Sequence, residues 1–278
     1  MYFIWFVSCR AARNEQKNLS SDKKVTENPL PLGKNKNIAI DQSKKLCYTY
    51  TKQIKIGNKF DHGGAFRMNE IVRAILIYSG VVLFGYLCGC FSLSYLLAKI
   101  RGFDIRKVGT KNAGASNAAV TMGWKIGVLV GFCDIMKCFI AVLTVSLVLK
   151  GDDFGLAPYI AGISCVIGHM HPFYLKFRGG KGFASYLGMI MAIDWKFFII
   201  LVLGILLVAL ISDYIVMGTM VTMVSFPVFN LIFEHSLIAA ILTALLSALI
   251  IFRHRKNLSD IFHGRERKIS ALFKKKSS

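Results

Sequence analysis

Apolar residues along this chain are gathered in long blocks separated by short charged or glycine-rich breaks. The first block, from Ala74 to Ala98, holds 25 residues without a formal charge, and roughly 20 suffice for a helix to cross the hydrocarbon core of a bilayer. Further blocks follow at 126–149, 155–175, 183–193, 197–212, 214–233 and 235–252. An all-α integral membrane fold with seven transmembrane helices over residues 68–253 is expected. The block between Lys181 and Asp194 holds only twelve residues. That is short for a crossing unless the glycine-rich segment before it enters the membrane under a cover of protein.

Composition agrees with the pattern. Of 278 residues 54% are hydrophobic, and 35 Lys+Arg face 15 Asp+Glu for a net charge of +20; mean hydropathy is +0.52. Disorder, collagen and a secreted disulfide scaffold are excluded, and an ordinary soluble domain fits badly. The cations are confined to breaks and tails: six in 99–125, three in 176–181 and nine from 253 onward, against one, one and none in 150–154, 194–196 and 234–235. With seven helices the basic segments share one side, which the positive-inside rule makes cytoplasmic. The amino terminus is then outside and the carboxyl terminus cytoplasmic. Because topology accounts for the positive charge, no nucleic-acid partner is implied.

Residues 1–67 fit this scheme poorly. They carry thirteen Lys+Arg and five acidic residues and would have to be translocated against the charge bias. They read as a disordered basic extension, or as sequence upstream of a natural start at Met68, which would leave a terminus of Met68, Asn69 and Glu70. Mass spectrometry of the native amino terminus distinguishes the two. Residues 254–278 read as a cytoplasmic basic tail. No Cys-x-x-Cys pair occurs, so the cysteines read as small core residues.

Three polar segments carry the candidate chemistry. The first includes Arg106, Lys107, Thr110, Asn112, Ser116 and Asn117 between glycines, with cations and small donors at a spacing suited to an anion. A basic loop facing anionic lipid would need the cations but not the amides and hydroxyls. The second runs from Gly168 through His169, His171 and Pro172 to Gly179-Gly180-Lys181-Gly182 and Ser185. It reads as a flexible cradle with a central cation directly before a new helix, whose first N–H groups favour a phosphate. The Walker A spacing is absent, and His169 with His171 lack a clear third ligand, so no metal or other cofactor is implied. The third opens the tail with Arg253, His254 and Asn257, the last two on one face if the final helix continues. Within the second block Asp134 and Lys137 lie one turn apart and are expected to pair, facing the bundle.

Taken in order, Gly89 to Lys99, Asp104 to Gly109, Asn112 to Asn117, Asp134 to Lys137, Gly168 to Pro172, Lys176 to Gly182 and Arg253 to Asn257 resemble the bacterial membrane glycerol-3-phosphate acyltransferases that use acyl phosphate, the PlsY family. The resemblance covers about 70–268 and implies a multi-pass enzyme of the bacterial inner (plasma) membrane. Such an enzyme moves a fatty acyl group from acyl phosphate to the sn-1 hydroxyl of glycerol 3-phosphate, giving lysophosphatidic acid and phosphate. It would work beside membrane lipid and be coupled to the enzyme that forms acyl phosphate. By role, Lys181, His254 and Asn257 are the catalytic candidates. Arg106, Lys107, Thr110, Asn112, Ser116, Asn117, His169, Gly179, Gly180, Gly182 and Ser185 are the substrate-binding candidates. His254 is the only side-chain base suited to neutral pH, and a substrate phosphate is the other candidate to take the proton.

Some positions depart from the family pattern. Gly89-Cys90-Phe91-Ser92 stands for Gly-Ser-x-Pro, Thr110-Lys111-Asn112 for Ser-Gly-Asn, Cys138 for a glycine, and Asp213-Tyr214-Ile215-Val216 for Arg-Tyr-x-Ser, while Asp260 replaces an arginine. Two expected cations are thus anions, which should weaken phosphate binding near them. An impaired paralogue and an organic-phosphate membrane carrier without catalysis stay open as alternatives.

Overall fold

The computed structural model describes residues 64–150, 152, 155–266 and 268–270. Backbone proximity divides the chain into Met1–Arg67 and Met68–Ser278, and the architecture below is that of the second unit. The expectations for residues 1–63 lie outside the described residues. The described part is all-helical: α1 (Gly64–Cys90), α2 (Leu93–Ile100), α3 (Ala115–Met122), α4 (Trp124–Val148), α5 (Ala157–Met170), α6 (Phe183–Ile193), α7 (Trp195–Ser212), α8 (Ile215–Ile232) and α9 (Leu237–Phe262). A 3₁₀ turn at Phe173–Leu175 follows α5. Among the described residues, five segments, Ile71–Ile100 with α4, α7, α8 and α9, are long and apolar enough to cross a membrane.

The first block is broken, in contrast to the single helix expected over Ala74–Ala98. The Ser92 hydroxyl caps α2, and the carbonyls released at the break find distant donors. Tyr174 Oη donates to the Cys90 carbonyl at 2.8 Å and Lys137 Nζ to that of Phe91 at 2.7 Å. A freed backbone carbonyl in an apolar bundle needs such a partner. Above the break, α1 lies directly on α5. A Cβ on Gly85 or Gly89 would run into the carbonyls of Ala161 and Cys165, and one on Gly168 into that of Tyr86, the small-residue packing by which apolar helices approach closely.

The expected pair on α4 is present: Lys137 Nζ lies 2.8 Å from Asp134 Oδ1, both side chains under a tenth exposed. The short blocks are the buried ones. At 11 residues, α6 is roughly 16 Å long, about half the core thickness. Ser185, Tyr186, Leu187, Gly188, Met189 and Ile190 are consecutive and all buried, so protein surrounds the helix on every side. Its Gly188 meets the Ile135 backbone of α4, and Tyr186 Oη lies 2.9 Å from Ser247 Oγ of α9. By contrast α7 buries only Leu201 and Ala209. Asp194 caps its start by accepting from the Phe197 amide at 2.7 Å. The last helix continues through Asn257 to Phe262, as the third polar segment required.

Candidate active site

The first polar segment is built around Asn117. This side chain is fully buried; its Nδ2 donates to the carbonyls of Ile105, Val108 and Asn112 at 2.8, 3.1 and 2.9 Å, and its Oδ1 accepts from the Thr110 amide at 2.8 Å. The loop therefore winds around one amide. Expected as a phosphate ligand, Asn117 is the loop's scaffold instead, since every polar atom it has is engaged by backbone. Arg106 is likewise fixed by protein. It meets the Asp104 carboxylate at 2.8 Å, donates from Nη1 to the Leu175 carbonyl at 2.6 Å and lies 5.3 Å from the Tyr95 ring centroid. The guanidinium holds the Asp104 carboxyl below its ordinary pKa range, and Asp104 raises that of Arg106. Arg106 thus ties the first segment to the second. Lys107, Thr110 and Ser116 stand exposed, and Asn112 is half-buried.

The second segment rests on the end of α5. Gly179 and Gly180 donate their amides to the carbonyls of Met170 and His169, at 3.0 and 3.1 Å. These two N–H groups, expected to face an anion, instead satisfy the last carbonyls of a helix. The amides left for an anion are those of the first turn of α6, which follows Gly182 in the left-handed region at φ 96°. Ser185 sits in that turn, completely buried, and its hydroxyl has no hydrogen-bond partner among the described residues. An orphan hydroxyl in a buried first turn calls for an acceptor that binds there.

Beneath this cradle lies a polar triad. Lys137 Nζ reaches the Phe91 carbonyl, Asp134 Oδ1 and His169 Nδ1, the last at 2.9 Å. The same His169 Nδ1 lies 3.3 Å from Asp134 Oδ1, so the three side chains form one buried cluster. A Cβ on Gly180 would strike His169 Nε2. His169, expected among the substrate ligands, is buried and supports the glycine loop from behind.

The third segment closes on the second. Lys181 Nζ donates to Asn257 Oδ1, Asn257 Nδ2 donates to Glu266 Oε1 at 2.8 Å, and Arg253 Nη2 donates to the Gly180 carbonyl at 3.0 Å. Burial lowers the Lys181 pKa; Glu266 acts against that shift, while Arg253 and Lys256 add to it. The buried His254 ring lies with Nδ1 2.9 Å from the Ile250 carbonyl. A carbonyl only accepts, so Nδ1 carries the proton and Nε2 presents the lone pair. Gly114 of the first segment also faces this point, with Gly180 Cα 3.9 Å from where its Cβ would be. All three segments therefore meet around Gly180 and Lys181. Arg253 and Glu266 belong to the third polar segment but were given no role at the site. Glu266 had a signal, as the only acid in residues 261–278.

An apolar helical bundle in which two loops and the end of α9 bring Arg253, Lys181 and Asn257 together has the form of a membrane protein with a candidate anion site. The glycerol-3-phosphate acyltransferase family model matches residues 79–264. Glycerol-3-phosphate acyltransferase 1 of Oceanobacillus iheyensis is 33% identical over 201 residues, 70% of this chain and 97% of the relative. Two crystal structures of PlsY (YgiH), an integral membrane glycerol 3-phosphate acyltransferase, superpose on it. The glycerol 3-phosphate form does so with a TM-score of 0.65 at 32% identity, over 71% of this chain and 99% of the other. The lysophosphatidic acid form gives 0.62 at 31%, over 69% and 94%. The chain belongs to the glycerol-3-phosphate acyltransferase family of enzymes, of the PlsY type.

Proposed function

We propose that this protein transfers a fatty acyl group from acyl phosphate to the sn-1 hydroxyl of glycerol 3-phosphate, releasing lysophosphatidic acid and inorganic phosphate. The observation that carries this reading is the junction at Lys181. Its ammonium meets Asn257 beside a glycine loop that Arg253 holds, with Gly114 of the first segment facing that loop. Such a site can hold two phosphorylated molecules side by side.

The acyl donor is a mixed anhydride and already activated, so no protein nucleophile is needed. The glycerol hydroxyl attacks the acyl carbon, the bond from that carbon to the bridging phosphate oxygen breaks, and phosphate leaves. His254 Nε2 takes the hydroxyl proton, and Asn257 orients the hydroxyl. Lys181, the first-turn amides of α6 and Ser185 Oγ hold phosphate oxygens, while Lys107, Thr110, Asn112 and Ser116 face the second phosphate. Positioning and fixed charge supply the rate enhancement. In the membrane, α5 and α6 act as short, protein-covered crossings that complete seven with the five long segments. The amino terminus is then outside, and the three polar segments lie at the cytoplasmic face of the bacterial inner membrane.

Purified protein in lipid, supplied with palmitoyl phosphate and radiolabelled glycerol 3-phosphate, is expected to form lysophosphatidic acid and phosphate in equal amounts. The Lys181→Ala and Asn257→Ala variants should lose nearly all turnover while remaining folded. Uptake of glycerol 3-phosphate into vesicles without acyl transfer would establish the carrier alternative.

A further inference from the structure

The chain beyond α9 makes a set of bonds that the reaction itself does not use. After Phe262 it turns at Gly264, with φ 66°, and the amides of Arg265 and Glu266 donate back to the Asp260 carbonyl at 2.7 and 3.0 Å. That turn delivers Glu266 to the Asn257 amide. Further on, residues 269 and 270 reach Asp213 at the α7–α8 turn. Ile269 donates its amide to the Asp213 carbonyl at 2.9 Å. Ser270 donates its amide to Oδ1 at 2.8 Å and its hydroxyl to Oδ2 at 2.6 Å.

Asp213 occupies the left-handed region at φ 64°, which a residue with a side chain seldom adopts. Its backbone carbonyl and both carboxylate oxygens are engaged by two residues near the end of the chain. The carboxylate is therefore directed at amide and hydroxyl donors, and these same bonds hold its pKa below the ordinary value.

We propose that Asp213 is a positioning residue that acts through the tail. By fastening Ile269 and Ser270 to the α7–α8 turn it keeps Glu266 on Asn257 Nδ2, and so keeps Asn257 Oδ1 turned toward Lys181. This inference rests on the acyl-transfer reading above. It gives a use to the carboxylate at a position where the family pattern has arginine: the tail, rather than an anionic substrate, is its partner.

The test uses full-length protein in lipid with palmitoyl phosphate and glycerol 3-phosphate. Asp213→Ala is expected to lower kcat by about tenfold through misplacement of the acceptor hydroxyl, leaving both KM values near wild type. Asp213→Asn, which keeps an oxygen acceptor for the Ser270 amide, should recover most of that loss. In a Glu266→Ala background, which removes the acceptor for Asn257 Nδ2, Asp213→Ala should add no further loss, because both act on one contact. Wild-type kcat in Asp213→Ala, or an equal loss in both backgrounds, overturns the proposal. If Glu266→Ala does not fold, trypsin cleavage after Arg265 and Lys268 decides. Cleavage is expected to be faster in Asp213→Ala than in wild type, with the bundle intact, and unchanged protection overturns the proposal. Wild-type protein that forms no lysophosphatidic acid would refute the acyl-transfer reading, and proteolysis would still decide whether Asp213 fastens the tail.

Discussion

Ser185 separates binding from stability at a single side chain. Its hydroxyl is buried without a partner, and an unmet buried polar group costs about 1–3 kcal/mol. Ser185→Ala is therefore expected to raise the thermal midpoint of the substrate-free protein while lowering turnover. A lowered midpoint with full turnover would show that the hydroxyl has no substrate partner. The same accounting explains which site residues the sequence could reveal. The sequence showed residue types suited to an anion at Asn112, Lys181 and Ser185. What could not be read was which groups the backbone would claim first. Asn117 is taken by carbonyls of its own loop, and the Gly179 and Gly180 amides by the end of α5. Arg106 went to Asp104 and Leu175. Leu175 lies far along the chain from Arg106, so that partner is set by the fold and not by local spacing.

Between elements, one ammonium joins three parts of the bundle. Lys137 satisfies the Phe91 carbonyl at the α1–α2 break, Asp134 on its own helix, and His169 below the glycine loop. Removing one partner of a buried pair leaves an uncompensated charge, which costs about 3–5 kcal/mol. Lys137→Ala is expected to lower the denaturation midpoint in detergent by a corresponding amount. The Asp134→Asn, Lys137→Met double variant should recover part of it; a Lys137→Ala protein as stable as wild type would contradict the triad. Charge-free blocks and the Asp134–Lys137 spacing were visible in the sequence because lipid and burial impose them locally. The break at Phe91–Ser92 was not read, since Ser92 stands where the family pattern has proline and the two freed carbonyls are satisfied from residues far along the chain. The helix α3 lay hidden in a segment read as a loop, where its small residues serve packing: a Cβ on Gly127 of α4 would meet Ala119.

Across the molecule, two carboxylates that depart from the family pattern have partners within the protein. Asp213 binds Ser270 and Ile269, and Asp260 lies 3.3 Å from Arg265. Neither stands as an isolated anion beside the cradle, so the expected weakening of phosphate binding loses its simplest cause. The proposed function requires that three segments, distant in sequence, form one phosphate-binding pocket at a single membrane face. Single cysteines at Thr110, Arg178 and Arg255, in a background without reactive native cysteines, test it in sealed vesicles of known orientation with a membrane-impermeant maleimide. All three are expected to react from the cytoplasmic side only, with labelling at Thr110 slowed by glycerol 3-phosphate. Reaction of any one from the opposite side would contradict the account.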